Sequence, residues 1–171
     1  MAQVWEFMTD ENTEFYLLDY QGNQANMKGN VSEIDPPEIV RGSDTRPRLG
    51  EAGAGHRPGM FEPMQVSVTM YGITTAVHNA LFLAQGNRTI ITMQVTGKAR
   101  ERYTGITDNM TMTFKGHVLK TPFFGVGAGS DTSEAEITLG VNGVGQKVAG
   151  DEIYIEPMAN RFEVNGVNLW A

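Results

Sequence analysis

Cysteine is missing from this 171-residue chain, which removes disulfides, thiolate metal sites and cysteine nucleophiles from consideration. Long apolar runs are missing too. No stretch approaches the roughly 18 apolar residues that a membrane-spanning helix needs. The N-terminal MAQVWEFMTDENTEF has neither the basic start nor the apolar core of an export signal. The expectation is a protein that neither inserts into a membrane nor is exported by the general route. Positive charge is scarce: 13 Lys and Arg stand against 20 Asp and Glu, for a net charge of −7 and a sequence pI near 4.9. Binding along nucleic acid draws on Lys and Arg to displace phosphate counterions, so this balance suits a surface past which DNA moves without sticking. Tryptophan occurs twice, as Trp5 and Trp170 near the two termini, where no aromatic platform for stacking a sugar ring is evident.

What is present is a period of two, which in a strand sends alternate side chains to opposite faces. Met64, Val66, Val68 and Met70 alternate with Gln65, Ser67 and Thr69; Met110, Met112, Phe114 and Val118 alternate with Thr111, Thr113, Lys115 and His117. Ala135, Ile137, Leu139 and Val141 alternate with Glu134, Glu136 and Thr138. Each has one dry and one wet face, as antiparallel sheets do when one side packs on a core. Further strands are expected at 14–19, 31–40, 89–97, 148–156 and near 161–165, giving seven or eight. Asn-Gly in VNGV at 141–144 and again at 164–167 predicts type I′ hairpin turns at both places. One helix interrupts the strands: Thr74 or Thr75 caps it, Ile73, Val77, Leu81 and Ala84 recur at helical spacing, and Gly86 ends it. The fold expected is mainly β, an antiparallel sandwich or small barrel with one flanking helix, in a single domain spanning 1–171.

Between two of these strands lies RGSDTRPRLGEAGAGHRPGM, residues 41–60. It is rich in Gly, Pro and Arg and has no apolar period. Structureless loops longer than about 12–15 residues are uncommon in compact domains and are usually functional or disordered, so this segment is expected to be an arm that reaches something. Arg41, Arg46, Arg48 and Arg57, with His56, face only Asp44 and Glu51 inside it. Residues 1–38, by contrast, carry Lys28 alone against eight carboxylates, including Glu33, Asp35 and Glu38. One chain thus holds both halves of an electrostatic contact, and copies joined head to tail build rings or filaments.

Catalytic and cofactor chemistry find no constellation. His56, His78 and His117 lack the close spacing of a metal pair and read as three separate histidines. The run GVGAGS at 125–130 has no following Lys-Ser/Thr and opens no helical pattern, so it reads as a hairpin loop, not a phosphate cradle. Glu134 and Glu136 share a face near Asp131, but without a nucleophile or a neighbouring histidine they read as a solvated strand face. Two glycosylation sequons, at Asn87 and Asn109, are chance matches in the absence of an export signal. The ten methionines fall mostly on dry faces, where Met fills gaps. No catalytic residue, metal or cofactor is expected.

The order of these features resembles the major tail tube proteins of contractile-tailed bacteriophages. The resemblance is carried by an early strand, VSEIDPPEI at 31–39, the Gly/Arg arm, an alternating strand, the helix at 74–85, and the C-terminal run DEIYIEPMANRFEVNGVN at 151–168. It spans nearly the whole chain. Pro36-Pro37 replaces the usual Leu-Pro-Lys-like step, and the N-terminus is extended and acidic. The resemblance implies a β-sandwich or barrel subunit, assembled as hexameric rings stacked into a hollow tube inside a contractile sheath. It further implies an arm, here 41–60, that reaches an adjacent ring, and wet faces such as those of Thr111, Thr113, Glu134, Glu136 and Thr138 that line the lumen or join subunits. The implied partners are further copies of the chain, the tail sheath protein, a tape-measure protein, and baseplate and tail terminator proteins, with DNA passing through unbound. The implied location is the virion tail, after assembly in the host cytoplasm. Two other readings stand beside it: the inner tube of a phage-derived bacteriocin or secretion machine, and a monomeric carbohydrate-binding β-sandwich. Genome neighbours separate the first from a phage tail; the missing aromatic platform weighs against the second.

Overall fold

The computed structural model describes residues 5–8, 13–28, 31–44, 57–121 and 134–170. In chain order the elements are β1 (Trp5–Met8), β2 (Glu14–Leu18), β3 (Gln24–Asn26), β4 (Val31–Asp35), β5 (Arg41–Asp44), β6 (Arg57–Phe61), β7 (Met64–Met70), α1 (Thr75–Asn87), β8 (Ile90–Glu101), β9 (Thr107–Lys120), β10 (Ala135–Val148), β11 (Asp151–Glu156), a 3-10 turn (Pro157–Ala159), β12 (Arg161–Val164) and β13 (Val167–Asn168). All strand pairs are antiparallel. Eleven strands form one sheet in the order β13-β12-β11-β10-β9-β8-β2-β3, and the sheet forks twice. At one fork β10 pairs with both β7 and β11 on the same side, and β7 carries β4; at the other, β8 pairs with both β2 and β1. The fold is mainly β with one flanking helix, as expected, and the eleven-stranded antiparallel sheet does not close into a barrel.

The alternating residues account for that core. Met64, Val66, Val68 and Met70 of β7, Ile91, Met93 and Val95 of β8, Phe114 and Val118 of β9, and Ile137, Leu139 and Val141 of β10 are all buried in one cluster. Burying a side chain of this size stabilises the fold by about 1.5–3 kcal/mol relative to leaving it exposed. Helix α1 adds Val77, Leu81 and Ala84 to the same cluster and packs against β9 and β3. Its N-cap is Thr74, whose hydroxyl accepts the Val77 N–H at 3.4 Å. The helix does not stop at Gly86, however. It continues to Asn87, and Arg88 takes the left-handed conformation (φ 55°) with its N–H donating to the Ala84 carbonyl. Gly86 has helical backbone and no neighbour to avoid, so nothing forces a stop there.

Three other expectations change. The strand expected at 31–40 ends at Asp35, before Pro36-Pro37, which lack N–H donors for a ladder. The arm is not structureless at its root: β5 and β6 form a separate two-stranded sheet, pairing Arg41 with Phe61 and Asp44 with Arg57. Finally, of the two Asn-Gly pairs only the second makes a turn. Asn165 and Gly166 adopt φ 51° and 80° between β12 and β13, as a type I′ turn requires. Residues 141–144 instead run through the middle of β10, which therefore extends unbroken from Ala135 to Val148, and a bulge at Val141/Gly143 absorbs Asn142. The expected 125–130 hairpin loop and Asp131 lie outside the described residues.

Candidate assembly surfaces

Where β10 forks, two glycines clear a lane across the outer face. A Cβ on Gly143 would stand 2.8 Å from the Tyr154 hydroxyl, and one on Gly145 would stand 2.9 Å from Tyr154 Cδ2. With no side chains there, the Tyr154 ring lies over β10, and Lys115 of β9 reaches across to Glu156 of β11 at 3.0 Å. The Tyr154 hydroxyl donates to Glu156 Oε2 at 2.9 Å. Arg161 stacks over the Tyr154 ring at 4.6 Å while its guanidinium is gripped by Glu163 at 2.7 and 2.8 Å. Burial, reinforced by the Glu156 carboxylate, pushes the Tyr154 phenol up to about 12. Burial also pushes the Glu156 carboxyl up, but the hydrogen bonds from Lys115 and Tyr154 outweigh it and hold that group below its ordinary range. This network rivets β9, β10, β11 and β12 together, and sequence reasoning missed it because VNGV at 141–144 reads locally as a turn.

The threonines proposed for a lumen or subunit face divide into two places. Thr111 and Thr113 lie on the outward side of β9, opposite Thr96 and Gln94 of β8, and border a polar pocket of about 460 Å³ that also touches Lys147, Glu152 and Tyr154. Glu136 and Thr138 lie on the same outward side but toward the other end of the long ladder, opposite Thr69 and Ser67 of β7. There Glu136 meets Lys120 at 3.3 Å and accepts from the Thr138 hydroxyl. Glu134 is exposed just before β10.

Of the three acidic residues, Glu33 and Asp35 share one face of β4, and Glu38 follows the strand. Glu33 and Asp35 pair opposite Thr69 and Ser67, so they share the outward face with Glu136, with β7 between them. Glu33, Asp35 and Glu38 are exposed, and none has an ion pair among the described residues. Strand β4 pairs only with β7, so its other edge has no strand partner among the described residues. Such an edge offers unpaired N–H and C=O groups to an incoming chain.

The arm leaves and re-enters the body beside the C-terminus. Arg41 at the start of β5 lies over the Phe61 ring at 4.5 Å and 5.9 Å from Trp170; Trp170 in turn meets Phe61 at 5.3 Å and Phe162 at 5.5 Å. Trp170 is half-buried. The sequence placed Arg41 in the arm but gave no sign that the last tryptophan sits at its root. Arg46, Arg48 and His56 lie outside the described residues, and Arg57 is placed by backbone register alone, opposite Asp44. His78 packs on Phe82 at 4.6 Å within α1, and His117 sits in β9 opposite Ile90. Among the described residues no cluster of three His, Cys, Asp or Glu is grouped to hold a metal.

No curated protein sequence matches the chain. Among solved structures, a double mutant of the Hcp1 protein from E. coli EAEC 042 pathovar aligns with it at 10% identity and a TM-score of 0.44, over 80% of this chain and 91% of that one. The sequence profile of phage tail tube protein FII matches residues 19–171, which is nearly the whole chain. The chain therefore belongs to the phage tail tube protein FII family and is a structural, tube-forming component of the phage tail.

Proposed function

We propose that copies of this chain form hexameric rings that stack into the inner tube of a contractile tail, with the arm of one ring lying on the β4 edge of a copy in the next. The observation that carries this reading is the free β4 edge bearing Glu33 and Asp35, exposed and without ion pairs among the described residues, in a chain whose 41–60 segment carries four arginines against two acids. Complementary charge of this kind sets register and orientation more than raw affinity. Within a ring, sheets join edge to edge, so exposed strand edges are used instead of blunted. The outward stretch of β8 and β9 that carries Thr92, Gln94, Thr96, Thr111 and Thr113 faces the lumen, and Lys115 beside it is paired with Glu156 and so is not free to hold phosphate. DNA passes through on ejection, and a tape-measure protein occupies the lumen beforehand. The sheath protein surrounds the tube, and baseplate and terminator proteins close its ends, assembly taking place in the host cytoplasm.

Negative-stain electron microscopy with light scattering at low and moderate salt tests this. The unaltered protein is expected to form stacked rings or hollow tubes at high concentration. Replacing Arg46 and Arg48 with Glu leaves the subunit folded and stops stacking; long tubes from that variant would sink the assignment of the arm.

A further inference from the structure

Among the described residues the arm ribbon β5–β6 has no ladder to the eleven-stranded sheet, so side-chain contacts at its root bear on its direction. A segment leaving at residue 41 and returning at residue 60 reaches at most about 33 Å, roughly ten residues out and ten back. A pivot of about 10° at the root would then carry the tip about 6 Å, more than the roughly 4.8 Å between neighbouring strands. Stacking in one register therefore needs a stiff root.

We infer that Trp170 is a positioning residue that clamps the arm root to the C-terminal hairpin and so fixes the direction in which the arm leaves the body. Phe61 and Phe162 contact its ring from the arm and from the body respectively, and Arg41 lies across both Phe61 and Trp170. Trp170 is itself held from behind. The Asn168 side chain accepts the backbone N–H groups of both Phe162 and Trp170 at 3.1 Å and donates to the Asn160 carbonyl at 3.3 Å, and the Leu169 N–H donates to the Phe162 carbonyl at 2.8 Å. An unbroken set of contacts thus runs from β12 through Asn168 and Trp170 to Phe61 and Arg41. This inference rests on the stacking role of the arm but is testable apart from it.

The chain has no cysteine, so spin labels can be placed at two sites of choice. Met60, 89% exposed on the ribbon, and Thr107, exposed at the start of β9, are replaced by Cys, and the distance distribution between the labels is measured in the unassembled protein by double electron–electron resonance. A single narrow distribution is expected for the parent pair. Trp170→Ala and, more weakly, Arg41→Ala broaden it, and Trp170→Phe restores most of it, with the far-ultraviolet circular dichroism of all variants unchanged. An unchanged distribution in both Trp170→Ala and Arg41→Ala overturns the inference, whether or not the protein assembles. In assembly, losing the stacking and cation–π contacts of Trp170 raises the concentration needed for tube formation by about tenfold. A broadened distribution with tubes still forming at the parent concentration would keep the clamp and overturn the stacking role of the arm instead.

Discussion

Tyr154 illustrates what one side chain gains from its surroundings. Its phenol is neutral when it donates to Glu156, and burial keeps it so up to about pH 12, above its ordinary value of 10.0. A group whose folded value is raised contributes stability that is fully present below its unfolded value and is lost as pH rises through the folded one. The window is therefore about pH 10 to 12. Glu156 works in the opposite direction: its lowered value contributes stability above the ordinary carboxylate range that is lost as the solution is acidified. Tyr154→Phe keeps the ring under Arg161 and removes one hydrogen bond, so urea unfolding at pH 7 is expected to show a loss of about 1 kcal/mol. The gap between parent and variant should shrink as pH rises through that window; a gap that widens would refute the pairing. Glu101 is a second residue whose role only its neighbours reveal. It is 2% exposed, and it accepts the Tyr103 N–H at 3.0 Å and the Thr104 hydroxyl at 2.6 Å, organising the turn from β8 to β9.

At the scale of elements, the glycines separate those that shape the sheet from those that do not. Gly116 of β9 faces β10 so closely that a Cβ there would stand 2.0 Å from the Gly140 carbonyl oxygen and 2.9 Å from the Val141 Cα. Both are backbone atoms and cannot rotate away. Gly116→Ala is expected to cost at least about 3 kcal/mol or to part the strands, seen as a lost or sharply lowered thermal transition. Gly86 lies in α1 with nothing within 4 Å of such a Cβ and no positive φ. Gly86→Ala is therefore expected to raise stability by about 0.5–1 kcal/mol through helix propensity alone. The alternation that marked β7, β9 and β10 was readable because period two needs only neighbours along the chain. The end of α1 was misread because Gly86 is compatible with a stop without requiring one, and Arg88 supplies the left-handed residue instead.

The acidic strand β4 lies at an edge of the eleven-stranded sheet, and the basic segment 41–60 is rooted in a separate two-stranded ribbon. If the two meet between copies, exchanging their charges should be tolerated where reversing one is not. Arg46→Glu with Arg48→Glu stops stacking; adding Glu33→Arg and Asp35→Arg to the same chain is expected to restore it, with tube length by electron microscopy as the measure. Tubes of the parent should also shorten as salt rises, since exposed charges farther apart than about 10 Å are screened at 0.1 M. Failure of the exchanged chain to stack while each singly altered form folds would show that the arm meets some surface other than β4.

Readable along the chain were the dry strand faces, a threonine cap at 74 or 75, Asn-Gly as a turn former, the uneven split of charge between residues 41–60 and 1–38, and the likeness to phage tail tubes, because each is written in residues close along the chain or in its overall composition. The tertiary structure decided the rest. VNGV occurs twice, and it turns at 164–167 yet runs straight through β10 at 141–144, because there the strand pairs on both sides and the missing side chains make room for Tyr154. Likewise nothing near Trp170 in the chain names Phe61 or Arg41 as its partners. Only folding brings the last tryptophan to the arm root, since contacts between distant segments depend on the path of the whole sheet and not on local pattern.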